Sequence, residues 1–469
     1  MANNGLPVER LRDYLRQLTP QSRALLIVEL ERSLLRADEM PGTDLVLREL
    51  RRTIHESGHT APRIGNPTRL FFRPFEPFLV DDVSDHKHRG RLARVSLDSI
   101  WGWIVMEVMP AEGKTYADEV SKLLLDGDIA QAEQLAQQFH DQAADRIGEK
   151  VAAVLADAKA TRRLSVQLGS PRALEDITTV ATILGARDGL ATLGLRLPPH
   201  IRNFVDPELT QVKALLDSPL LPKPELLVYG IVLAMSRLAS PWQLIRLAIR
   251  AADSDNTARI ADTPYAVAVT IVLDETERMV NELRAELKSG QGVAVVGLLK
   301  SIHDAARGLR TEMDLTVDSP WSRQLAAIRA EISELLKVEV EGVPGRVRRL
   351  LRPRSAAEIA PGAVLDPTEV AETEALIQFG GACRSYASEL AISEMTLRTY
   401  SELEQSLDNG RQTLLDRLRH AGDRDRAYLQ SQVEAAIRFC AVVFGADYAA
   451  VLAKAAEVAA QPDRRVARA

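Results

Sequence analysis

The chain has 469 residues, a formal net charge of −6 and a pI near 5.9. It therefore lacks the positive field that a general nucleic-acid binder needs, and nucleic acid is not an expected partner. Hydrophobic residues make up 46% and charged residues 26%, the balance of a folded soluble protein, while aromatics at 4% leave the cores to Leu, Ile, Val and Ala.

Those residues, with many Glu, Gln and Arg, favour helix. The two cysteines, Cys383 and Cys440, fall among apolar helical residues and read as buried free thiols in a reducing compartment. No Cys-x-x-Cys is present, and the N-terminus has no charged-then-apolar leader pattern. The longest charge-free runs, 226–236, 263–273 and 289–299, span 11 residues each. A membrane-spanning helix needs about 20 apolar residues. The expectation is a cytoplasmic protein without a transmembrane span.

In chain order, Val8, Leu11, Leu15 and Leu18 mark one face of a first helix. Thr19-Pro20 opens a second, with Thr as N-cap and Pro at the first helical position, and a third runs from about Asp44 to Ser57. The same start signal recurs at Ser170-Pro171, Asp206-Pro207, Ser218-Pro219, Ser240-Pro241, Thr263-Pro264, Ser319-Pro320 and Asp366-Pro367. Its irregular spacing predicts packed helices rather than a repeat.

Residues 58–95 break the pattern. Pro62, Pro67, Pro74 and Pro77 predict an ordered loop or short extended pieces. Phe71, Phe72, Phe75 and Phe78 in that loop either plug a gap in the helical body or present a partner-binding surface. A long helix is expected from Asp128 to about Gln167, followed by a helical array over about 170–310. From Trp321 the positions Leu325, Ile328, Ile332 and Leu335 step by three and four. "LKVEVEGVPG" (336–345) alternates briefly and predicts at most one hairpin arm. After Pro367, Leu376, Phe379, Cys383, Tyr386, Leu390, Leu397, Tyr400 and Leu407 predict a long, coiled-coil-like helix. Gly380-Gly381 is a possible kink, and two more helices follow at about 423–443 and 446–460.

The fold expected is all-α: a multi-helix array with a C-terminal long-helix bundle and one Pro/Phe-rich loop. The domains expected are an N-terminal helical segment (1–110), a central array (111–340), an Arg/Pro-rich linker (341–366) and a C-terminal bundle with a basic tail (367–469).

Three short motifs and two basic clusters bear on chemistry. His55-Glu56-Ser57-Gly58-His59 matches the H-E-x-x-H pattern of zinc peptidases, in which two histidines one helical turn apart bind zinc and the glutamate acts as general base. This five-residue resemblance implies a zinc hydrolase with His55 and His59 as ligands and Glu56 as catalytic base. Against it, Gly58 and Pro62 read as a helix end that takes His59 off the required turn. Arg51 and Arg52 are unfavourable neighbours for a dication. The third ligand is ambiguous among Glu76, Asp81, Asp82, Asp85, His86 and His88.

Gly113-Lys114-Thr115 follows the strand-like "WIVMEV" and mimics a phosphate-binding loop, but the required earlier Gly is Val108. Thr115 with Asp118 reads instead as a capping box. Gly290-Gln291-Gly292 has Val295 where a dinucleotide fold needs Gly, and reads as a turn between helices. Two basic clusters remain, 86–94 and 345–355. In the second, Arg346, Arg348, Arg349, Arg352 and Arg354 are candidate contacts for an acidic partner, an anionic membrane or nucleic acid, the last weakened by the lack of aromatic residues for base stacking beside them.

The functional expectation is a cytoplasmic helical scaffold or regulatory protein. It would bind protein partners, or further copies of itself, through helical grooves and the Phe-rich or Arg-rich segments, and it needs no cofactor. Two alternatives stand beside it: the zinc hydrolase, with zinc as cofactor, and a peripheral adaptor acting through the Arg-rich linker.

Overall fold

A computed structural model describes residues 11–460 apart from 12–13, 16, 37, 39–41, 57–64, 82–86, 290–291, 361 and 423. Among the described residues the protein is all-α, with twenty α-helices and two strands of two residues each. No helix among them is long and apolar enough to cross a membrane. The chain forms two compact units: unit 1 comprises residues up to Arg196 and Leu215–Leu233, and unit 2 comprises Leu197–Ala214 and Ala234 onward. The expected division into four segments does not coincide with this one.

Unit 1 opens with α1 (Pro20–Leu35) and α2 (Thr43–Glu56). Thr19 caps α1 by accepting from the Ser22 amide at 3.1 Å. Leu15, Ile27, Leu30, Leu47, Leu50 and Ile54 form the small core of this pair. Next comes the segment expected to be a loop, and the structure corrects it. Asn66 accepts from the Arg69 amide at 2.7 Å and Pro67 takes the first helical position, so α3 (Pro67–Phe72) forms and runs into a 3-10 turn, Arg73–Phe78. Proline is harmless at a helix start, where its missing N–H has no partner to lose.

Strand β1 (Leu79–Val80) then pairs in parallel with β2 (Leu92–Ala93). The strand-like "WIVMEV" is helical, forming the end of α4 (Leu97–Trp103) and a π-turn over Ile104–Val108. Gly113-Lys114-Thr115 lies inside α5 (Pro110–Asp126), so it forms no phosphate loop. Thr115 is no cap either, since its hydroxyl donates to the Ala111 carbonyl at 3.1 Å. The long helix expected over 128–167 is two: α6 (Ile129–Leu155) and α7 (Ala158–Gln167), with Asp157 capping the second. Helices α8 (Pro171–Gly185) and α9 (Arg187–Arg196) complete this stretch.

The four phenylalanines are core residues. Phe71, Phe72, Phe75 and Phe78 are 0–3% exposed. Phe71 packs edge-on to Phe72 and Phe139 at 5.0 and 5.7 Å, and lies 5.2 Å from Trp101. Their expected role as a partner-binding surface is therefore corrected: burial in the aromatic cluster uses the surface a partner would need.

The chain then runs through α10 (Asp206–Leu216) and α11 (Leu227–Met235). Unit 2 contains α12 (Ile245–Ala252), α13 (Thr257–Ala261), α14 (Ala266–Ser289) and α15 (Gly292–Glu312). Beyond these lie α16 (Pro320–Leu351), α17 (Pro367–Ser385), α18 (Ser393–Arg419), α19 (Arg426–Phe444) and α20 (Ala446–Ala460). Ser319 and Asp366 cap α16 and α17 as expected.

Two expectations fail here. The 336–345 stretch is not a hairpin arm, and residues 341–351 of the expected linker are helix, because α16 continues to Leu351 with Pro344 buried inside it. The coiled-coil-like seam is cut at 386–392, where Ala391 adopts φ 58 and separates α17 from α18. The bundle core instead joins Val343, Val347, Leu403, Leu407, Leu429 and Phe439 from α16, α18 and α19. Gly290 and Gln291, where a turn is expected, lie outside the described residues.

Candidate functional site

The widest concavity described in unit 1 holds about 590 Å³ and lies beside α8, α9 and the 219–226 connection. Its position follows from local sequence. Ser170 caps α8 by accepting from the Arg172 amide at 3.0 Å, and Ile177, Val180, Ile183 and Leu184 turn inward. The groove face is left with Ala181, Gly185 and Ala186, too small to fill it.

Gly189, in the first turn of α9, fixes the opposite wall. A Cβ there would come within 2.4 Å of the Leu220 carbonyl oxygen, so only glycine lets the 219–222 backbone lie this close. At Gly230 a Cβ would stand 2.6 and 2.7 Å from the Leu221 and Leu216 side chains, so those leucines would have to shift.

The polar groups in the groove are few. Thr182 and Thr192 donate their hydroxyl protons to the Thr178 and Asp188 carbonyls at 2.9 and 2.8 Å, so each presents lone pairs outward. Asp188, Lys223 and Glu225 stand exposed at the rim. Behind the wall Tyr229 is buried, and burial pushes its pKa up.

Farther along α8, the fully buried Asp176 carboxylate takes the Lys87 ammonium on one oxygen and the Ala93 amide, at 3.3 Å, on the other. Burial lowers the Lys87 pKa, and the pairing with Asp176 opposes that shift. One carboxylate thus pins both ends of the 87–93 segment. This arrangement positions α8 rather than offering reactive groups to solvent.

The zinc-motif residues are not assembled into a site that can be described. His55 and Glu56 fall in the last turn of α2, and His59 lies outside the described residues. Among the described residues no group of three His, Cys, Asp or Glu side chains is placed to hold a metal ion. Cys383 and Cys440 are buried free thiols, and burial pushes their pKa values up to about 12 and about 11.

The Arg-rich segment is split between two surroundings. Arg346, Arg348 and Arg349, on the outer face of α16, pair with Glu372, Glu402 and Glu369 at 3.8, 2.8 and 3.0 Å. Arg352 and Arg354 follow the helix end, exposed, and the Arg354 guanidinium lies 5.4 Å from the Tyr428 ring centre. Beneath them the buried Gln432 amide donates to the Leu350 and Arg352 carbonyls at 2.8 and 3.1 Å, capping the end of α16.

Sequence reasoning missed the groove. Its only sequence trace is the spacing of Ala181, Gly185, Ala186 and Gly189 along α8 and α9, which leaves one side without bulk. No protein-family model, curated protein or solved structure matches the chain.

Proposed function

We propose that this chain is a helical interaction protein and that the groove beside α8 and α9 receives a segment of a protein partner. The observation that carries this reading is the groove itself. It has a floor of small side chains, apolar walls from Pro219, Leu220, Pro222 and Leu226, and charged groups at the rim. Concavities of this size and lining suit an inserted peptide or helix face, which gains affinity from apolar burial and direction from a few polar contacts.

The test is a plug. A Cβ at Gly185 meets nothing within 4 Å, so Gly185→Trp fills the groove without disturbing the packing behind it. Affinity capture with mass spectrometry should return a partner with the wild-type chain and lose it with Gly185→Trp, while thermal unfolding of the two stays alike. Identical capture by both proteins refutes the assignment.

A further inference from the structure

We propose that Ser355 is a phosphorylation site for an arginine-directed protein kinase, and that the phosphate it receives is held by Arg417 and by the arginines just before it. Four serines in the chain have an arginine three residues earlier: Ser165, Ser240, Ser355 and Ser401. That spacing offers a cation to an acidic kinase groove when the chain around the serine is extended. The structure separates the four.

Ser165 and Ser401 lie inside α7 and α18, so presenting either hydroxyl means unwinding a helix, and for Ser165 drawing the neighbouring Leu164 out of the core. Ser240 is half-buried, and the chain before it is tied down by two backbone hydrogen bonds. The Ile201 amide donates to the Arg237 carbonyl and the Ala239 amide to the Ile201 carbonyl, each at 2.8 Å. Ser355 differs from all three. Residues Arg352 to Ser355 are exposed beyond the end of α16, with Arg352 (φ −57°, ψ 130°) and Ser355 (φ −70°, ψ 154°) in open, non-helical conformations. The Ser355 hydroxyl oxygen accepts the Glu358 amide as the cap of the 3-10 turn Ala356–Glu358, so only one short turn must open for the residues after it to extend.

The step is a displacement at phosphorus. The Ser355 Oγ attacks the γ-phosphorus of ATP, the bond from that phosphorus to the bridging oxygen breaks, ADP leaves, and the hydroxyl proton passes to the kinase's catalytic carboxylate.

The surroundings fit the product. Arg417 donates through Nη2 to the Arg354 carbonyl, which sets its guanidinium beside the Arg354–Ser355 peptide. Its Nη1 is buried and has no hydrogen-bond partner among the described residues. Arg352 and Arg354 stand exposed nearby, and the neighbouring anion is Glu358, whose carboxylate accepts the Ser355 amide at 2.9 Å. Three guanidiniums against one carboxylate leave the position net positive, and a phosphate brings the acceptor oxygens that Arg417 lacks.

The full-length chain is incubated with ATP and an arginine-directed serine kinase, and the modified residues are mapped by mass spectrometry. Ser355 should be the first serine modified, Ser355→Ala should remove that phosphate, and Arg352→Ala should slow its addition by about tenfold. The phosphorus resonance of the modified chain should titrate below the usual second pKa of about 6 and move back toward it in Arg417→Ala. No phosphate on Ser355, modification only at Ser165, Ser240 or Ser401, or a rate unmoved by Arg352→Ala overturns the site. An ordinary titration that Arg417→Ala leaves unchanged overturns the role of Arg417. Ser355 and Arg352 are exposed, so their variants carry the test even if Arg417→Ala unfolds.

Discussion

The two basic clusters look alike in sequence and end in opposite surroundings. In 86–94, Lys87 is held by the buried Asp176, His88 is buried, and Arg94 reaches Glu76 and Asp81. In 345–355, every arginine is exposed, and the residues between them carry the packing: Val347, Leu350 and Leu351 are buried at helical intervals. Charge density therefore does not decide whether a cationic stretch faces water. The spacing of the apolar residues between the charges decides it, because a helical stripe can be buried while long basic side chains stay solvated on the other face. Where no stripe exists, as in 86–94, the chain is fixed by polar pins instead.

The largest difference between the clusters should appear on breaking one ion pair in each. Asp176→Asn keeps an acceptor for the Ala93 amide but strands the Lys87 charge in a mostly buried position. Removing one partner of a buried pair costs about 3–5 kcal/mol. The double variant Lys87→Met/Asp176→Asn removes the stranded charge and should recover much of that loss, giving a favourable coupling energy in a double-mutant cycle. Urea denaturation measures both. A single variant no less stable than wild type would mean that the pin contributes nothing and that the contrast between the clusters is only one of appearance.

Phe71→Ala should cost a similar amount, about 3–5 kcal/mol, because it empties the centre of an aromatic cluster that the sequence left open between a core plug and a binding surface. A loss below about 1 kcal/mol would restore the surface reading of these phenylalanines.

A smaller effect sharpens the contrast through pH. The buried His140 has Nε2 2.8 Å from the Phe71 carbonyl, so that nitrogen carries the proton. Burial lowers its pKa below the usual value near 6.5, more than the Phe71 hydrogen bond raises it. As pH falls through about 6.5 the unfolded chain takes up a proton before the folded one, so stability drops from there until the folded pKa is passed. His140→Gln keeps an N–H donor but cannot titrate. Its urea midpoint should fall less than the wild-type midpoint between pH 7.5 and pH 5, and parallel curves would show that His140 does not set this dependence.

The helical character was legible because caps and periodicity are local. Thr19-Pro20, Ser170-Pro171, Ser319-Pro320 and Asp366-Pro367 each precede a helix. Asn66-Pro67 is the same signal, overlooked among the neighbouring prolines. Ser218-Pro219 and Thr263-Pro264 were less faithful: each makes a turn, and helix begins only beyond it. The break at 386–392 was hidden because the apolar spacing runs on through it, and Pro344 was misread because a buried helical stripe outweighs the local preference of one proline. The groove was illegible for a different reason. Thr182 and Glu225 come to line one concavity through the close backbone approach at Gly189, and no local pattern encodes which glycine serves that purpose.

The smallest effect expected is at the exposed cluster, and it discriminates as well as the large one. Arg348 and Arg349 pair with Glu402 and Glu369 on solvated helix faces, with about half or more of each arginine side chain exposed. In that setting Coulomb attraction is weakened by water and offset by the entropy of holding two long side chains together, so each pair contributes about 0–1 kcal/mol. Arg348→Ala and Arg349→Ala should each shift the urea midpoint barely, and the shift should shrink further in 0.5 M salt, where the Debye length falls below about 5 Å. The Asp176→Asn deficit, set in a site with little water, should persist at the same salt. A salt response of equal size in both clusters would contradict the assignment of one to the interior and the other to the surface.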